Sequence, residues 1–155
     1  FYYCDLISDL LSNGNSSRLY RKLVKEKNLF SEINAFVTGD IDNGLFIIIA
    51  KLYDHTSMNV GIEAINHEIS NLVNNPITDY ELDKVKNKIE SNLQFSNISV
   101  LSKAMNLGYY ELLGNAEKWN QELEIYKAIS KNNIISTANN LFKTSNQNIL
   151  LYNKA

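Results

Sequence analysis

The chain has 155 residues, 45% of them hydrophobic and 21% charged, the balance of an ordinary globular chain that suits one domain of two layers. With 15 basic against 17 acidic side chains the net charge is −2, which gives no electrostatic footprint for nucleic acid and no basic amphipathic helix for a membrane surface. The longest apolar run, Leu45 to Ala50, is strand length and far short of the roughly 20 residues of a membrane span.

The single Cys4 excludes an internal disulfide, and its aromatic and aliphatic neighbours read as the setting of a buried, inert thiol. Phe1 is not a start residue, and the chain opens at once on a helix-like run. It is therefore expected to be a fragment or processed piece with native sequence upstream, and it says nothing about targeting.

Tyr3, Leu6, Ile7, Leu10 and Leu11 recur at three- and four-residue steps, which predicts an amphipathic helix ended by Asn13-Gly14. Ser16 or Ser17 can serve the free N–H groups of a second helix over about Ser17 to Lys27. Leu19 and Leu23 share one face of it, and Asn28 is its stop. Ile33, Ala35 and Val37 then alternate with Glu32, Asn34 and Phe36 in a strand near Phe30 to Thr38. Asn43-Gly44 predicts a hairpin turn. The returning strand, Leu45 to Ala50, is continuously apolar and is expected to be buried on both faces.

Met58, Ile62, Ile65, Ile69 and Leu72 predict a helix broken at Asn74-Asn75-Pro76. Thr78 and Glu81 form a capping box, followed by the stripe Leu82, Val85, Ile89 and Leu93. Helix is expected to continue, bent around Ser96 to Ser99, towards Leu113. Two more helices follow, one over about Ala116 to Ile129 with Trp119, Leu123 and Tyr126 as core candidates, and one capped by Ser130. Asn148 to Tyr152 reads as a last strand returning beside the hairpin, since three strands bury a face better than two. The order gives an α+β fold, helices packed on a mainly antiparallel sheet, as a single domain over 1–155.

Catalytic constellations are hard to find. His55 and His67 are the only histidines. Neither H-x-x-E-H nor H-E-x-x-H is completed: from His67-Glu68 the second histidine position is Asn71. His67 reads as an exposed helix residue, with Glu63 a turn earlier. Ser16 and Ser17 lack a Gly-x-Ser-x-Gly elbow, and no phosphate-binding glycine loop occurs. Tyr2-Tyr3 and Tyr109-Tyr110 read as packing aromatics.

Ser16-Ser17-Arg18-Leu19-Tyr20, with Leu23 and Leu29 in step, resembles the non-catalytic repeat of the insulinase/pitrilysin-type zinc metallopeptidases, the family of the mitochondrial processing peptidases. In those repeats Ser-Ser-Arg-Leu-Tyr opens a helix that leads into a strand. Weaker agreement continues through Pro76-Ile77-Thr78, Leu107-Gly108 and Ile129-Ser130, while the family's opening strand or strands would lie upstream of Phe1. The resemblance implies an inactive repeat that closes over a catalytic, zinc-bearing repeat in the same chain or a partner subunit. Its implied ligand is a peptide substrate, and no zinc is implied in this segment. A bacterial periplasm or envelope is the family's habit, with the cytoplasm as the alternative.

In the family an Arg and a Tyr of the inactive repeat reach the substrate carbonyl. Those positions hold Val24 and Ser31 here. Ser16, Ser17, Arg18, Leu19 and Tyr20 are expected to be structural. Three readings follow. The chain is the clamp half of a peptidase, with Arg21 or Lys25 standing in for Val24. It is a degenerate repeat that only scaffolds or binds a partner. Or it is a free-standing α+β binding module unrelated to proteolysis.

Overall fold

Helix α1 (Tyr2–Ser12) buries Leu6, Ile7, Leu10 and Leu11 along one face, and the first strand and two later helices pack on it. The structure is a computed structural model that describes residues 1–39, 42, 44–75 and 77–153. At the end of α1, Asn13 N–H bonds the Asp9 carbonyl at 3.1 Å, and Gly14 takes φ +95°, the left-handed turn that suits glycine. The expected serine N-cap does not form. The Ser17 hydroxyl donates back to the Gly14 carbonyl at 2.7 Å, and Ser16 Oγ accepts from Lys84 Nζ at 2.9 Å. Ser17 closes the turn and Ser16 ties it to Lys84, so neither hydroxyl caps the helix that follows.

That helix has an unexpected winding. Tyr20–Glu26 is a π-helix, and Lys27 N–H reaches the Lys22 carbonyl five residues back. It stops where predicted. Asn28 has φ 52°, and Leu29 N–H bonds the Leu23 carbonyl at 2.9 Å across it.

β1 (Phe30–Val37) and β2 (Phe46–Leu52) pair antiparallel, with Ile33 opposite Ala50, Ala35 opposite Ile48 and Val37 opposite Phe46. The register slips between Phe30 and Glu32, so Ser31 lies in a bulge. Asp40, Ile41 and Asn43 of the expected turn lie outside the described residues. Phe30, Ile33 and Ala35 are buried against the helices, with Phe46, Ile48 and Leu52 packed beside them. On the outer edge of β1, Ala35 N–H donates to Ser12 Oγ (2.6 Å), and that hydroxyl donates to the Ala35 carbonyl (3.1 Å).

Two expectations about the sheet fail. β2 is not buried on both faces: Ile49 is 59% exposed, because the described helices cover only the face of Phe46, Ile48 and Leu52. Asn148 to Tyr152 forms no strand. The described sheet has two strands, and Leu150 (95% exposed) and Tyr152 (89%) stand off it. Apolar, β-prone side chains make a strand only where an edge receives them.

α2 (Met58–Asn74) follows, capped by Ser57. Its buried face is Gly61, Ala64, Glu68 and Leu72, turned by about one residue from the predicted stripe. A Cβ on Gly61 would sit 2.6 Å from Leu52 Cδ2 and 3.2 Å from Phe30 Cζ, so the bare backbone rests on the sheet. The helix ends before Pro76, which lies outside the described residues.

α3 (Asp79–Ser96) opens with the predicted box: Glu81 N–H donates to Thr78 Oγ1 (3.1 Å), and Thr78 N–H donates to Glu81 Oε2 (3.0 Å). The expected bend is a full break, after which Ser99 caps α4 (Val100–Leu112). α5 (Lys118–Ala128) buries Tyr126, with Trp119 and Leu123 half-buried. α6 (Lys131–Leu141) has its Ser130 cap and lays Ile134 and Ala138 in the core against α1. The architecture is α+β: helices on one face of an antiparallel pair. Among the described residues no helix is long and apolar enough to cross a membrane.

Candidate functional site: the turn joining the π-helix to the sheet

The Ser16–Tyr20 motif holds this turn against α3. Arg18 grips Glu81 with two parallel bonds, Nε to Oε1 at 2.9 Å and Nη2 to Oε2 at 3.0 Å, while Nη1 reaches the Asn71 carbonyl at 3.4 Å. Partial burial pushes the Glu81 carboxyl up, but the bonds from Arg18 and Thr78 pull it further down, to about 2. Leu19 is fully buried, and Lys25 Nζ lies 5.6 Å from the centre of the Tyr20 ring.

The two substituted positions sit on either side of the Asn28 turn. Val24, on the π-helix, packs half-buried against the core. Ser31 is exposed in the bulge, and its hydroxyl donates to the Lys51 carbonyl at 3.1 Å. Of the two candidate substitutes for Val24, Arg21 faces Glu26 at 3.7 Å and Lys25 lies over Tyr20. Both are engaged on the helix itself.

Tyr53, which sequence reasoning did not single out, and His55, which it tested only as a metal ligand, converge on the same turn. Tyr53 follows β2, and its N–H bonds the Leu29 carbonyl at 3.1 Å. His55 Nε2 lies 3.1 Å from the Asn28 carbonyl, which can only accept, so Nε2 carries the proton. The Tyr53 and His55 rings stack, centres 5.5 Å apart and planes 12° from parallel. The pair lies past the end of β2 in a turn closed by the Thr56 N–H bond to the Tyr53 carbonyl at 2.9 Å, which strand periodicity does not read.

Metal chemistry finds no donor set. His55 is bonded at the turn, and His67 is exposed on α2. Among the described residues no three His, Cys, Asp or Glu side chains are grouped to hold an ion. A separate polar cluster joins α1 to α5, where the Tyr126 hydroxyl donates to Asp5 Oδ2 at 2.7 Å. Near it burial pushes the Glu122 carboxyl up, and its Oε2 is enclosed without a bonding partner. The Tyr109 and Tyr110 rings meet edge to face, and Tyr110 packs on Trp119. Burial also pushes the half-buried Cys4 thiol up, away from the reactive thiolate.

A protein-family profile described as the peptidase M16 inactive domain matches residues 2–89, more than half of the chain. Among solved structures, a protease from Helicobacter pylori superposes with a TM-score of 0.86 at 23% identity, covering 94% of this chain and 35% of that one. The chain therefore spans about a third of that protease. Two others are described as a putative zinc protease from Bordetella pertussis Tohama I and the inactive peptidase domain of such a protease from Bordetella parapertussis. The first has a TM-score of 0.83 at 20% identity, covering 94% of this chain and 81% of that one. The second has 0.84 at 20%, covering 94% and 79%. At these identities the superpositions show a shared fold.

Proposed function

The chain belongs to the family of peptidase M16 inactive domains, and from that premise we propose that it is the substrate-facing, non-catalytic half of a zinc peptidase acting on peptides. The observation that carries this reading is the open outer face of the hairpin. Phe36 (41% exposed) and Ile49 (59%) offer apolar surface there, and Glu32 lies opposite Lys51 beside the bulge. Such a surface suits extended chain, which brings both backbone polar groups and alternating side chains. The histidines of this chain do not fit a zinc site, and no step is routed through one. The metal belongs to the catalytic repeat, which would supply the activated water.

The test compares the catalytic repeat with and without this domain on a peptide library. Turnover is expected to need both. Equal kcat/KM without this domain would remove the clamp role.

The second reading, a scaffold without substrate contacts, is favoured by the two substituted positions. Val24 has no donor and packs inward, and the Ser31 hydroxyl is spent on Lys51. Restoring the family residues with Val24→Arg and Ser31→Tyr in the same assay separates the readings. A rise in turnover is expected of a clamp that lost its donors, and no change of a scaffold.

A further inference from the structure

We propose that the exposed face of α4 is a self-association surface, on which a second copy of this chain docks its own α4 antiparallel, with Met105 of each copy seated over Gly108 of the other.

α4 buries none of its own side chains. Its inner side, where Asn106 and Tyr110 are half-buried, packs against α5, with the Tyr110 ring on Trp119. The opposite side carries Leu101, Met105, Gly108 and Leu112, which step by four, three and four and so fall in one line down the helix. Leu101 is 70% exposed, Met105 67% and Leu112 81%. The charged residues of α4, Lys103 and Glu111, lie outside this line.

Gly108 has no reason within one copy. A glycine weakens a helix interior, and a Cβ here would meet nothing within 4 Å. Gly61 is the contrast, since Leu52 and Phe30 rest on its bare backbone. A second helix supplies the reason. Turned end for end about a point between Asn106 and Leu107, the line repeats itself: Leu101 meets Leu112, and Met105 meets Gly108. The long, adaptable Met105 side chain then fills the gap over the glycine, once in each direction. A surface that is its own complement about a twofold axis is what a closed pair requires. An unrelated helix would have no need of that match.

The area is sufficient. A standard interface takes about 800 Å² from each copy, and in a homodimer about two-thirds of it is apolar. Phe95, Ile98, Val100, Leu101, Met105 and Leu112 are each 67% or more exposed. At about 100 Å² apiece they supply that apolar part.

The experiment is sedimentation of the native polypeptide that carries this domain, across a dilution series, and a monomer–dimer equilibrium is expected. Gly108→Met blocks the gap and should weaken association about 10-fold or more. The melting temperature of the monomer should hold or rise, because methionine is the better helix former. Met105→Ala combined with Gly108→Met moves the large side chain to the other position, and should restore association to within about threefold of the wild type. Indiscriminate sticking of an apolar patch would be strengthened by Gly108→Met, and that result overturns the proposal. A monomer at every concentration also overturns it and gives the face to an unrelated helix or to another part of the native polypeptide. A dimer that Gly108→Met leaves unchanged overturns it too, because the copies then meet elsewhere. Loss without rescue removes the seating of Met105 on Gly108, and the proposal with it.

Discussion

Glu81 uses both carboxylate oxygens, one on the Arg18 fork alone and one shared between Arg18 and Thr78 N–H. A helix cap and a long-range ion pair therefore titrate as one group. Its folded value of about 2 lies below the ordinary 4.5, so the stability it contributes is complete above about 4.5 and is lost as pH falls towards 2. After allowance for screening at a site 23% exposed on the Glu81 side, that is about 1–2 kcal/mol. Thermal melts from pH 2 to 7 should show the wild type losing stability across that window. Glu81→Gln should start lower at pH 7, with a flatter acid limb, and meet the wild type near pH 2. Superimposable curves at pH 7 would sink the assignment. The cap was legible in the sequence, because Thr78 and Glu81 are three residues apart. The Arg18 partner was not, since it comes from 63 positions away and only the fold brings it there.

At the scale of elements, the legible ones were those whose signals are local. The α1 stripe, the Asn28 stop and the Ser130 cap each lie within one or two turns of chain. The π-helix was not legible, because a seven-residue stretch is too short to separate its wider winding from an ordinary 3.6-residue period. For the same reason the fate of Val24 could not be read: its facing depends on that winding. Asn28 makes the turn testable. At φ 52° a β-branched residue is strongly disfavoured, so Asn28→Val should cost about 1–2 kcal/mol, whereas Asn28→Gly should be neutral or slightly stabilising. Urea unfolding of the two variants checks this, and equal midpoints would argue against a left-handed closure. The joint placing of Tyr53 and His55 was missed because their partners are backbone carbonyls far back in the chain, Leu29 for the Tyr53 N–H and Asn28 for His55, to which sequence periodicity gives no clue.

Across the whole molecule, α1 is the spine, with β1 along one side, α6 and α3 along others, and α5 held to it through Asp5 and Tyr126. The α+β class follows from the order of elements, but the one-sided packing does not, since the apolar run of β2 pointed to cover on both faces and Ile49 stands 59% exposed. The third strand did not, because strand pairing is settled by which edges are available and not by the strand's own residues. Removing residues 148–153 should therefore shift the melting temperature by no more than about 2 °C, since side chains as exposed as Leu150 and Tyr152 contribute little burial. A fall above about 5 °C would place the segment in the core after all. The Ser12 hydroxyl, which takes both the N–H and the carbonyl of Ala35, has a last consequence. At Ala35 it takes the two bonds that an added strand would make on the outer edge of β1, so a strand joining the sheet on that side would have to displace the end of α1 at that position.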